Sequence, residues 1–152
     1  MSESARLSLF EQWLPVCDVI DVELRNLSRV SKLIQQAEST GKEGIVSFHD
    51  FAETPGLEKL QEMFDQSGRA PNRIFKVAAT VSHWSDVEAL IQLIQNNLEF
   101  RVAAMGMGAL GKLSRLVLAR LGSCLTYGSI GAAVVPGQWP VTQLSDLLSE
   151  IW

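Results

Sequence analysis

Hydrophobic positions along this chain follow two rhythms that take turns. Short runs rich in β-branched residues, "CDVIDVELR" (17–25), "GIVSFHD" (44–50), "RIFKVAAT" (73–80), "EFRVAAMGM" (99–107) and "SCLTYGS" (123–129), alternate with stretches whose apolar residues recur every three or four positions. The first kind predicts five strands. The second kind, "LSRVSKLIQQAEST" (27–40), "PGLEKLQEMFDQSG" (55–68), "SDVEALIQLIQNN" (85–97) and "GKLSRLVLARLG" (111–122), predicts four crossover helices. "SARLSLFEQWL" (4–14) reads as a leading helix and "PVTQLSDLLSEIW" (140–152) as a closing one. Strands and helices in this alternation make βα units around a parallel sheet. Ser28, Thr54 with Pro55, and Ser85 stand where helices should start, and Gly41, Gly68 and Gly122 where they should stop. No linker or shift of composition divides the chain, so residues 1–152 are expected to form a single domain.

Polar residues inside the strands carry the next step. Alternation puts Asp21 and Glu23 on one face of the first strand, opposite Ile20, Val22 and Leu24. The same parity groups Ser47 with His49 on the second strand and Ile74, Lys76 and Ala78 on the third. Crossover helices must cover the apolar face, so carboxylate, imidazole and amine point together to the other side. In a doubly wound sheet that side would also lie under helices, where such groups are costly. Inside a (β/α) barrel they line the mouth at the C-terminal ends of the strands. The expected fold is therefore α/β, a partial TIM barrel of about five parallel strands with flanking helices.

Composition changes this picture mainly by exclusion. A net charge of −4 with no run of Lys or Arg offers nothing to nucleic acid or to an anionic membrane surface. No stretch of about 18 apolar residues exists to span a bilayer, and the acidic, polar N-terminus lacks the basic start of an export signal. A cytoplasmic location is expected. Cys17 and Cys124 are too far apart to suggest a disulfide framework and have no partners at metal spacing, so both are expected to be small, reduced, buried residues. The glycines of "GMGALG" do not follow the order of a nucleotide-binding loop. Trp13, Trp84, Trp139 and Trp152 sit beside helical segments, as packing residues do, and His83 is expected to be exposed at a helix start.

The residues then resemble a known family. "VIDVELR", "SFHDFAETP", "IFKVAAT", "MGMGALGKLSR", "LGSCLTYGS" and "VPGQ", in this order and spacing from about residue 5 onward, are similar to the type I 3-dehydroquinate dehydratases. These are Schiff-base lyases of the shikimate pathway, which leads to the aromatic amino acids, and they have a TIM-barrel fold. The resemblance implies that Lys76 condenses with the C3 ketone of a small keto-acid substrate, without cofactor or metal. It implies that His49 is the general acid and base, that Arg115 pairs with the substrate carboxylate, and that Gln138 lies on a loop closing over the bound ring. Asp21 or Glu23 would orient His49, as a carboxylate does in a catalytic triad.

Two departures accompany the match. Val134 stands where the family commonly has a serine, and the match begins at the family's fourth strand. Five strands cannot close an eight-stranded barrel, so a second copy or a partner chain is expected to complete it. Alternatives are a non-catalytic binding or regulatory module, or a Schiff-base lyase acting on another keto acid. For His49 with Asp50, the simpler reading is a structural N-cap pair.

Overall fold

The computed structural model describes residues 3–133 and 135–151; Val134 and Trp152 lie outside them. The chain order is α1 (Glu3–Trp13), β1 (Val19–Glu23), α2 (Leu27–Ser39), β2 (Glu43–Asp50), α3 (Leu57–Ser67), β3 (Arg73–Thr80), α4 (Trp84–Gln95), β4 (Arg101–Met107), α5 (Gly111–Arg120) and α6 (Val141–Ile151). The strands form one parallel sheet in the order β1-β2-β3-β4. Sequential order without reversal is the winding of a barrel segment, in which right-handed crossovers put every helix on the same face.

Strand parity divides the core into two layers. Toward the helices, Ile20, Val22 and Val46 pack with Val30, Leu33, Ile34 and Ala37 of α2. Phe75, Val77, Ala79, Val102 and Ala104 pack with Leu60, Phe64, Val87, Leu90, Leu93, Ile94 and Leu118 of α3, α4 and α5. On the other face a smaller cluster of Ile45, Ile74, Ala78, Ala103, Met105 and Met107 is covered by Leu125 and Val135. The polar residues Asp21, Glu23, Ser47, His49 and Lys76 share that face.

Four strands are found among the described residues, not five, and the barrel is not closed. Residues 123–129 run beside β4 without forming a ladder. The Ala104 N–H donates to the Ser123 hydroxyl (2.9 Å), which in turn faces the carbonyls of Ala104 (3.1 Å) and Leu125 (2.9 Å). The Cys124 N–H donates to the Val102 carbonyl at 2.9 Å. A serine side chain thus takes the place of a backbone partner on the β4 edge, which a pattern of β-formers does not reveal. Cys124 follows as an exposed residue while Cys17 is half-buried, so neither is the fully buried thiol that was expected.

Helix starts are displaced from the expected residues. Asn26, Gly56 and His83 occupy the N-cap positions of α2, α3 and α4. Asp86 explains the last: its carboxylate accepts from the N–H groups of Ser82 (2.8 Å) and His83 (2.9 Å), which starts α4 ahead of Ser85. Thr54 serves a different purpose, donating its hydroxyl to the Thr80 carbonyl at 2.8 Å and tying the β2–α3 turn to the end of β3. His83 is exposed at its helix start, as expected. The helix stops fall at the expected glycines, with Gly41, Gly68 and Gly122 all at positive φ.

At the N-terminal end of the sheet, Arg73 grips the Glu38 carboxylate with two bonds (2.8 and 2.7 Å) and fixes α2 to β3. The opposite end depends on one close approach. A Cβ placed on Gly106 would lie 2.2 Å from Ser114 Oγ and 2.5 Å from Val81 Cγ2. Gly106→Ala should therefore lower the unfolding free energy by about 1–3 kcal/mol, as overpacking does. Chemical denaturation compared with the parent protein measures this, and an unchanged midpoint would contradict so tight a β4–α5 contact.

Candidate functional site

Three strands bring the polar residues of the inner face together. In the sheet register Glu23 pairs with Ser47, Ser47 with Lys76, and His49 with Ala78. Lys76 and His49 are therefore diagonal neighbours on adjacent strands. Each turns to its own carboxylate on β1.

Lys76 is buried, with 8% of its surface exposed, because it lies in the middle of β3 among Phe75, Val77 and the inner apolar cluster. Its ammonium reaches across β2 to Asp21 Oδ2 at 2.5 Å. The ring centroid of Tyr127 lies 5.3 Å from the same nitrogen. A buried amine with a carboxylate on one side and an aromatic face on the other is held in one place. It becomes a nucleophile when it gives up a proton.

His49 stands near the end of β2, half-buried, with Nδ1 2.6 Å from Glu23 Oε1. An ionised carboxylate only accepts, so in the neutral ring Nδ1 carries the shared proton and Nε2 keeps the lone pair. The imidazole also stacks on Phe51, with centroids 6.4 Å apart and planes 12° from parallel. The structure thus assigns the two carboxylates that the sequence left open, Glu23 to the histidine and Asp21 to the lysine. Asp50 is occupied with the turn, accepting from the N–H groups of Ala52 (2.9 Å) and Glu53 (3.1 Å).

Arg115 enters from α5 and is 2% exposed. Its Nη1 donates to the Tyr127 carbonyl at 3.0 Å, while Nε is buried without a hydrogen-bond partner among the described residues. Burial pushes the guanidinium below the ordinary arginine value. A buried cation with an unused donor is a natural seat for an anion.

Gln138 is half-buried on the loop between α5 and α6. That loop is pinned to the C-terminal end of β4. The Gly108 N–H donates to the Pro136 carbonyl at 2.9 Å, and Gly137 at φ 80° comes so close to Gly111 that a Cβ on the latter would sit 2.9 Å from the Gly137 Cα. Trp139 completes the attachment by donating Nε1–H to the Lys112 carbonyl at 2.8 Å, with the Lys112 ammonium 4.4 Å from its ring centroid. Val134, the position of the absent serine, lies outside the described residues.

One member of the site was not legible as such. Tyr127 touches Lys76 with its ring and Arg115 with its carbonyl. The only trace in the sequence is an aromatic residue amid "LTYGS", which reads equally well as strand packing. Among the described residues there is no cluster of three or more metal-ligating side chains, and no helix is long and apolar enough to cross a membrane.

Known proteins with this pattern are numerous. A family model described as type I 3-dehydroquinase matches residues 1–151. A 3-dehydroquinate dehydratase of Methanococcoides burtonii is 34% identical over 149 residues, covering 97% of this chain and 63% of that protein. Among solved structures, the 3-dehydroquinate dehydratase of Geobacillus kaustophilus superposes with a TM-score of 0.88 at 28% identity, covering 99% of this chain and 61% of its own. The enzyme of Aquifex aeolicus gives 0.86 at 31% identity, with 99% and 68% covered. The chain thus spans a little under two thirds of the length of the relative from M. burtonii, and its fold corresponds to that part of the dehydroquinase fold.

Proposed function

The chain belongs to the type I 3-dehydroquinase family, and on that premise we propose that it is a lyase converting 3-dehydroquinate to 3-dehydroshikimate and water through a Schiff base on Lys76. The observation that carries this reading is the inner face itself, where a buried amine and an imidazole stand diagonally, each with its own carboxylate.

The residues divide the work as follows. Lys76, relieved of a proton, adds to the C3 ketone, and loss of water from the adduct gives an iminium. That cation withdraws electrons from the neighbouring C–H, so a base of ordinary strength removes the C2 proton. His49 Nε2, with its lone pair directed by the Nδ1–Glu23 bond, is that base. The same nitrogen returns the proton to the C1 hydroxyl, which departs as water, and hydrolysis of the imine frees the product and the amine. Arg115 takes the substrate carboxylate with its guanidinium, and Gln138 contacts the ring from the pinned loop. Asp21 keeps the free amine in place between turnovers. The direct test is to incubate the protein with 3-dehydroquinate and borohydride and weigh it: a reduced adduct on Lys76 is expected, and its absence from folded protein overturns the lyase reading.

A second proposal concerns the sheet edge. β1 is an outer strand of the sheet, and it carries Asp21 and Glu23 with side chains 39% and 32% exposed. A groove of about 350 Å³ lined by Leu9, Trp13, Leu14 and Val19 runs beside it. Edges of this kind seek cover. We propose that a second copy supplies it, so that light scattering after gel filtration returns twice the 16.7 kDa of one chain. A monomer at micromolar concentration would sink the idea.

A further inference from the structure

Tyr127 joins two groups that the fold brings in from different directions. Ser123 and Cys124 are hydrogen-bonded along the edge of β4, and this carries the following residues onto the inner face of the sheet. There the Tyr127 ring meets the Lys76 ammonium, 5.3 Å from centroid to nitrogen. Its main-chain carbonyl meanwhile accepts from Arg115 at 3.0 Å. Lys76 sits on β3 and Arg115 on α5, yet both rest on this one residue.

We propose that Tyr127 is a positioning residue, whose ring face sets the state of the Lys76 amine while its main chain holds Arg115 at a fixed place beside it. The importance of the amine rests on the Schiff-base reading; the contact itself does not. An aromatic face carries negative charge density and attracts an ammonium but not a neutral amine. The ring therefore works with Asp21 to hold the lysine side chain aimed. The charged and titratable groups on the elements around it are Asp21 and Glu23 on β1, Glu43 and His49 on β2, Arg101 on β4, which pairs with Glu43, Cys124 beside Arg101, and Arg115 through the Tyr127 carbonyl. None of these is altered by exchanging the ring.

The chain has five lysines, Lys32, Lys42, Lys59, Lys76 and Lys112, few enough to follow individually. Their 13Cε shifts are recorded against pH by NMR, with Lys76 assigned by its loss in Lys76→Arg. Tyr127→Leu, which keeps an apolar side chain and removes the aromatic face, should move the Lys76 midpoint down by about half a pH unit, the size expected of one exposed cation–π contact. Tyr127→Phe, which keeps the face, should leave it where the parent protein has it. Tyr127→Met repeats the loss of the face with a different shape, and unchanged midpoints of the four other lysines report an intact fold. Lys76 midpoints that coincide in all variants overturn the proposal, as does an equal shift in Tyr127→Phe, which would point to the hydroxyl. No substrate enters this titration, so a parent protein that forms no borohydride adduct defeats the lyase reading and leaves the role of Tyr127 to be decided separately.

Discussion

Lys76→Ala should form no borohydride-stabilised adduct with 3-dehydroquinate, and its dehydration rate should fall to the uncatalysed background. Lys76 is placed mid-strand, where both backbone neighbours are locked in the ladder and the side chain is bounded by Asp21 and Tyr127. Holding a nucleophile at one point against a bound ketone is worth several powers of ten in rate, through entropy already lost on folding. Water cannot replace that, because it forms no iminium and leaves the C2 proton as weakly acidic as in the free ketone. The variant should nevertheless fold. Asp21, the partner left behind, has a side chain 39% exposed and can be hydrated, so the cost of losing this ion pair is well below that of stranding a buried charge. Circular dichroism and the unfolding midpoint would establish that the loss is chemical. Residual turnover within tenfold of the parent would place the reaction on another group.

His49→Ala should separate two steps of the proposed reaction. The adduct on Lys76 still forms and is still trapped, though more slowly, because the amine and its carboxylate are untouched. Formation of the conjugated enone, followed by its absorbance, should fall by roughly 10²- to 10⁴-fold, the range for removing one positioned proton carrier. The imidazole and Glu23 side chains are 29% and 32% exposed, so truncation lets water reach the freed carboxylate and leaves the fold in place. Enone formation at the parent rate would leave His49 with a structural role only, as a strand-end residue held by Glu23.

Much of this arrangement was written in the alternation of the strands. The parity of Asp21 and Glu23, of Ser47 and His49, and of Lys76 with Ile74 and Ala78 follows from a side-chain period of two, and the sheet keeps all of it. The pairing of acid with base was not legible. Register alone sets Glu23 nearer Lys76 than Asp21 is, yet a lysine has the length to cross a whole strand, and it takes the aspartate one layer down. Arg115 and Gln138 drew attention through resemblance to a family, and their periodicity gave no hint of burial or of a pinned loop. The fifth strand failed because strand formers were counted without asking what would bond to them, and Ser123 answers with a hydroxyl. Helix starts moved by one or two residues for a similar reason: at α4 the controlling group is Asp86, inside the helix, reaching back. Tyr127 was invisible because its role depends on two neighbours far away in the chain.

The bracing of β4 by Ser123 and Cys124 also limits how these molecules can combine. A sheet with two bare sides could add copies indefinitely and grow into a fibre. Here one side is occupied by the chain's own return segment, which leaves a valence of one. Under the proposed pairing through β1, association would be self-terminating: two copies that meet there leave no bare side, and growth would stop at the pair.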